Sequence, residues 1–117
     1  MVVAIPMTTT ANRIRQITAP ELKAMLEDGT VLQLWDVRTE EERTIARIPG
    51  ARHLDQAGVE QINGLDHGTL LVFHCHHGFR SQAAAEHFQA NGFTNLCNVI
   101  GGIEAWSTLV DASVPRY

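Results

Sequence analysis

Cys75, His76, His77, Gly78, Phe79 and Arg80 follow one another in a single short segment. Only the thiolate is a good nucleophile, and a free cysteine is mostly protonated near neutrality. A cysteine that does chemistry therefore needs neighbours that favour negative charge. This segment offers three: the backbone N–H groups of a tight loop, the amino end of a following helix, and the guanidinium of Arg80. A downward shift of about two pKa units would correspond to about 2.7 kcal/mol of preference for the thiolate, within reach of several such contacts together. Gly78 suits a loop that turns successive amides inward, because a positive φ carries no steric penalty for glycine. His76 and His77 are placed to line the loop mouth, where partial protonation below about pH 6.5 would add positive potential.

The flanking residues must position this loop. Leu70, Leu71, Val72 and Phe73 read as a buried strand, and the run from Ser81, QAAAEHFQANGF, reads as a helix. Residues 75–80 then lie between a strand's carboxyl end and a helix's amino end, where open parallel sheets bind ligands. Ala83, Ala84 and Ala85 let that helix approach the sheet closely, and Asn91, Gly92 and Phe93 suit its termination.

Upstream, Thr18 and Glu21 predict a capping box with Pro20 tolerated in the first turn, and Leu22, Met25 and Leu26 share one face of the helix, which ends at Asp28 and Gly29. Residues 31–37, VLQLWDV, predict a strand, with Asp36 and Arg38 at its end as a supporting ion pair. Thr39 and Glu42 start a second helix that stops before Pro49. Residues 51–54 read as a short strand or an extended piece; residues 55–64 read as weakly helical, with Val59 and Ile62 on one side and Gly64 as the stop. A strand over 95–100, a Gly101–Gly102 turn and a short helix from Ile103 follow. Strands alternating with helices at these lengths predict an α/β fold: a mainly parallel central sheet flanked by helices in three layers. Residues 1–12 read as an arm and 13–117 as one domain.

Composition narrows the function classes. With 117 residues, one core is large enough to need no disulfide or metal support. The net charge is -4 and Lys plus Arg total 9, which disfavours nucleic acid as a partner. No apolar run is long enough to span a membrane, and the N-terminus lacks the pattern of a secretory signal, so a cytoplasmic location is expected. Two cysteines, Cys75 and Cys97, suit a reducing compartment. Cys97 falls in an apolar strand and reads as packing, as do Trp35 and Trp106; lysines and arginines elsewhere read as solvated surface. Adjacent His74, Cys75, His76 and His77 point apart in an extended or tightly turned segment and match no usual zinc spacing, so no metal site is expected.

Three ordered stretches resemble one family. Cys75 to Ser81 is similar to the Cys-x-x-Gly-x-Arg-Ser loop of the single-domain rhodaneses, the sulfurtransferase family. Asp36, Val37, Arg38, Glu42 and Ile48-Pro49-Gly50-Ala51 resemble its first signature, and Asn98 to Trp106 its second. The likeness runs from about Ile17 to Trp106. Arg43 stands where that family usually has an aromatic residue, and Ala46 and Arg47 where it has Gly-His, which implies altered packing or surface charge at that edge.

The resemblance implies a rhodanese-like domain with Cys75 as the catalytic nucleophile. It implies His76, His77, Gly78, Phe79 and Arg80 as the substrate-binding loop, and Asp36, Arg38 and Ser81 as structural support. The implied reaction takes sulfane sulfur from a small anionic donor such as thiosulfate onto Cys75. It then passes the sulfur to cyanide or to a thiol acceptor such as glutathione, thioredoxin or a partner protein, with no metal or organic cofactor. A persulfide carrier in a sulfur relay is the implied alternative. A phosphatase or arsenate reductase is a further one, although related phosphatases have one more residue between cysteine and arginine than the four seen here.

Overall fold

The computed structural model describes residues 13–117, and the expected arm at 1–12 lies outside the described residues. Ten elements alternate along the chain: β1 (Arg15–Ile17), α1 (Ala19–Glu27), β2 (Gln33–Asp36), α2 (Glu40–Ile45), β3 (Arg52–His53), α3 (Gln56–Asn63), β4 (Leu71–His74), α4 (Phe79–Ala90), β5 (Leu96–Val99) and α5 (Gly102–Leu109). The strands form one sheet in the order β1-β5-β4-β2-β3, and every neighbouring pair is parallel. The mainly parallel sheet of the sequence reading is thus wholly parallel among the described residues.

Local chemistry explains most boundaries. Thr18 and Glu21 make both halves of a capping box ahead of α1, with Thr18 N–H donating to Glu21 Oε1 at 2.7 Å. Thr39 and Glu42 do the same ahead of α2. At the end of α4, Phe93 N–H donates to Phe88 O and Gly92 N–H to Gln89 O, while the Phe93 ring meets Phe88 edge-on. That pair of bonds with its apolar contact is the expected terminator.

β4 is central and buried on both faces, so Leu71, Val72 and Phe73 are apolar without alternation. On one side Leu34, Val72, Cys97 and Val99 pack with Leu22 of α1, Ile103 and Trp106 of α5, and Val114 of the tail. On the other, Trp35, Leu71, Phe73 and Leu96 pack with Ile62 of α3 and with Ala85 and Phe88 of α4. Cys97, Trp35 and Trp106 are core residues, as expected.

Three features depart from the sequence reading, and a fourth resolves an alternative it left open. β1 was not anticipated, because only Ile17 of its three residues is buried and no apolar run marks it. The strand expected over 31–37 begins at Gln33, leaving Val31 exposed. α4 begins at Phe79, so Phe79 and Arg80 belong to its first turn instead of the loop. Of the altered packing or surface charge expected at Arg43, the structure has the first, since Arg43 is only 8% exposed.

Candidate active site

Cys75 follows β4 directly and is 1% exposed. Its sulfur accepts hydrogen bonds from Gly78 N–H at 3.1 Å, the Ser81 hydroxyl at 3.3 Å and Ser81 N–H at 3.4 Å. Burial alone would push the thiol pKa up. The Ser81 hydroxyl and the N–H groups of Ser81, Gly78 and His77 outweigh burial and hold it below its ordinary value. Cys97, with burial unopposed by such donors, is shifted up.

Two glycines shape the loop. Gly78 has φ 106°, and a Cβ there would lie 3.2 Å from Val99 O and 3.3 Å from Gly101 N. Gly102 has φ 56°, and a Cβ there would run into the Cys75 carbonyl and come within 2.5 Å of the His76 carbonyl oxygen. The same carbonyls accept hydrogen bonds from the start of α5: Ile103 N–H to Cys75 O at 2.9 Å and Glu104 N–H to His76 O at 3.2 Å. With those oxygens held outward, the N–H groups of His77 and Gly78 are left to face the sulfur.

Asn98 of β5 braces the loop from beneath. Its Nδ2 donates to Gly78 O at 3.2 Å and to Gln16 Oε1 at 2.9 Å, leaving Oδ1 to accept from the Ser81 hydroxyl at 2.6 Å. A cleft of about 280 Å³ opens beside the loop, bordered by His77, Gly78, Phe79, Asn98 and Ile100.

Arg80 lies elsewhere than expected. Its guanidinium makes a two-pronged bond to Glu42, at 2.7 Å and 3.0 Å, and not to Cys75. This bond and the Thr39 N–H hold the Glu42 carboxyl well below the carboxylate range. The thiol is served instead by Ser81, which sequence reasoning placed in a supporting role. His76 is partly buried and its ring stacks between His77 and Tyr117, each centroid 4.0 Å away. Burial, then His77, push its pKa down, so it charges at lower pH than expected from the sequence.

Behind the site, Asp36 and Arg38 form the expected ion pair, with Arg38 Nε to Oδ1 at 2.9 Å and Nη2 to Oδ2 at 2.7 Å. Arg43 adds a bond to Oδ2 at 2.9 Å. The change of packing expected at that edge is therefore a buried cation on a buried carboxylate. Burial opposes the Asp36 charge, but the Arg38 hydrogen bonds win and its pKa is lowered. His74 lies 3.7 Å from the same carboxylate, and burial pushes its pKa down to about 4.

The C-terminal tail also contributes. The Tyr117 hydroxyl donates to Glu42 Oε2 at 2.7 Å and accepts from Arg38 Nη1 at 2.8 Å. Sequence reasoning gave Asn98, Glu42 and Gly102 no part in the site itself, although all three lie in the quoted signatures. Tyr117 lies outside them and carried no local signal.

A family model described as the rhodanese-like domain matches residues 18–109. The chain is 34% identical over 103 residues to the thiosulfate sulfurtransferase GlpE of Pseudomonas paraeruginosa, covering 87% of this chain and 92% of that one. It is 33% identical over 98 residues to the putative sulfur carrier protein YrkF of Bacillus subtilis, covering 83% of this chain and 53% of that one. The crystal structure of a rhodanese-like domain protein from Staphylococcus aureus superposes with a TM-score of 0.71 at 30% identity, covering 89% of this chain and 99% of that one.

Proposed function

The chain belongs to the rhodanese-like domain family, and from that membership we propose that it is a sulfurtransferase working through a persulfide on Cys75. The Cys75 thiolate attacks the sulfane sulfur of a donor such as thiosulfate, the donor's S–S bond breaks, and sulfite leaves with the electron pair. The outer sulfur then rests among the loop amides until a thiolate acceptor or cyanide removes it and returns the Cys75 thiolate. The reaction needs no oxidant, because sulfur moves with its oxidation state intact.

The observation that carries this reading is the set of three donors, Gly78 N–H, Ser81 N–H and the Ser81 hydroxyl, converging on one buried sulfur. They favour an anion at that point without a general base. A phosphatase would instead want a guanidinium fork turned toward a phosphate, and Arg80 is engaged by Glu42.

Mass spectrometry of protein treated with thiosulfate tests the reading: one added sulfur on Cys75, discharged by cyanide or glutathione, is expected. Cys75→Ser should lose both steps, and retained turnover would sink the assignment. The likeness to a putative sulfur carrier favours a second reading, in which Cys75 passes sulfur between proteins. Accumulation of the persulfide with slow turnover on thiosulfate and cyanide supports that role; release of phosphate from an aryl phosphate without any persulfide overturns both.

A further inference from the structure

A dianionic donor approaching a thiolate needs positive charge at the mouth, so the disposition of the arginines bears on which donor fits. Arg38 and Arg43 are bound to Asp36, Arg80 to Glu42 and Arg116 to Glu104. Three carboxylates hold these four guanidiniums, Asp36 taking the buried Arg38 and Arg43 together. Glu42 is itself fixed: Oε1 accepts from Arg80, Thr39 N–H and the Thr39 hydroxyl, and Oε2 from Arg80 and the Tyr117 hydroxyl. Glu42 therefore does not travel with Arg80. To face an incoming anion, the guanidinium must abandon two charge-assisted bonds.

The groups that meet the sulfur are uncharged: backbone N–H groups and one hydroxyl. Those donors hold one negative charge on sulfur well. Thiosulfate would bring two more charges beside it, and like charges at close range repel strongly where solvent is excluded.

Resting on the sulfur-transfer reading above, we infer that Glu42, pinned by Thr39 and Tyr117, withholds Arg80 from the donor and makes the site selective for an organic persulfide over thiosulfate. In the loading step Cys75 thiolate attacks the outer sulfur of R–S–SH. The Cys75–sulfur bond forms, the R–S to sulfur bond breaks, and the electron pair leaves on R–S⁻. The proton stays on the transferred sulfur, giving Cys75–S–SH. The carbon skeleton R occupies the cleft beside Phe79 and Ile100.

The test compares loading of Cys75 by thiosulfate and by the persulfide of 2-mercaptoethanol, which has no charge beyond the persulfide itself. Expected for the unaltered protein is a kcat/KM for the persulfide at least about tenfold above that for thiosulfate. Glu42→Gln preserves the capping box, since glutamine also serves there, and frees Arg80. Its KM for thiosulfate should fall about tenfold, with the persulfide constants within about twofold. Glu104→Gln removes one negative charge near His76 without touching Arg80 and should leave the thiosulfate KM unchanged.

Equal efficiency with both donors, or a Glu42→Gln protein no better with thiosulfate, overturns this inference and leaves sulfur transfer standing. An equal gain in Glu104→Gln also overturns it, because general charge would then explain the effect. Loading by neither donor, with Cys75 still alkylated by iodoacetamide, overturns the sulfur-transfer reading and this inference together.

Discussion

Ser81 has one hydroxyl proton and two acceptors within reach, Asn98 Oδ1 at 2.6 Å and Cys75 Sγ at 3.3 Å. The Asn98 amide is oriented by Nδ2, which donates to Gly78 O and Gln16 Oε1. While Cys75 is a neutral thiol, the proton belongs on the shorter bond to Asn98; once the thiol ionises, the sulfur becomes the stronger acceptor and the hydroxyl turns to it. Ser81→Ala removes this response and keeps the Ser81 N–H bond. The apparent pKa of Cys75, followed as the pH dependence of iodoacetamide alkylation, should rise by about one unit, the worth of one hydrogen bond to a charged group. An unmoved midpoint would refute the role given to the hydroxyl. The spacing of Cys75, Gly78 and Arg80 made the anion-holding loop legible in the sequence, because backbone amides follow from strand, turn and helix. It could not tell which side chain supplies the remaining donor. That choice depends on Glu42, 38 positions before Arg80 in the chain, which captures the guanidinium.

The amino end of α5 sets the loop's shape. Its first free N–H groups, on Ile103 and Glu104, hold the carbonyls of Cys75 and His76. Gly102 sits where any side chain would enter those same carbonyls. Gly102→Ala should therefore tilt the peptide planes that aim Gly78 N–H at the sulfur. Misplacement of a catalytic group by about 1 Å can lower a rate about a hundredfold, so the rate of persulfide formation should fall by that order. The backbone strain should also lower the unfolding free energy by about 1–3 kcal/mol. Stopped-flow loading and urea unfolding measure the two effects; a loading rate within twofold of the unaltered protein would show that α5 does not shape the loop. Elements with local signatures were readable: α1 and α2 from their capping boxes, α4 from its terminator. β1 was not, because its place is fixed by pairing with β5 through Arg15↔Cys97 and Ile17↔Val99, and no local pattern encodes that.

Across the whole molecule, a buried polar cluster joins the sheet to the site: Asp36 from β2, Arg38 after it, Arg43 from α2 and His74 from β4, with the exposed Tyr117 of the tail bonded to Arg38. The Asp36–Arg38 pair was legible, since both residues end one strand. Arg43 and Tyr117 were not, because folding alone brings them to it. The cluster makes stability depend on pH in a predictable direction. His74 is held neutral by burial, with its pKa lowered from 6.5 to about 4. Between those values the unfolded chain binds the proton and the folded one does not, so stability is full above pH 6.5 and falls as the pH drops toward 4. Each pH unit in that window removes up to about 1.4 kcal/mol, so roughly 2 kcal/mol is lost by pH 5. His76 shifts in the same direction and adds to the loss. Asp36 and Glu42, whose pKa values are lowered from 3.8 and 4.5, withdraw their contributions chiefly below pH 4.5. The interval from 6.5 to 5 therefore reports mainly histidine. Urea unfolding at pH 7 and pH 5 should show the drop, and His74→Phe should remove most of it while the His76 part persists. Equal stability at the two pH values would mean that His74 accepts its proton in the folded state, with Asp36 at 3.7 Å as the partner that admits it.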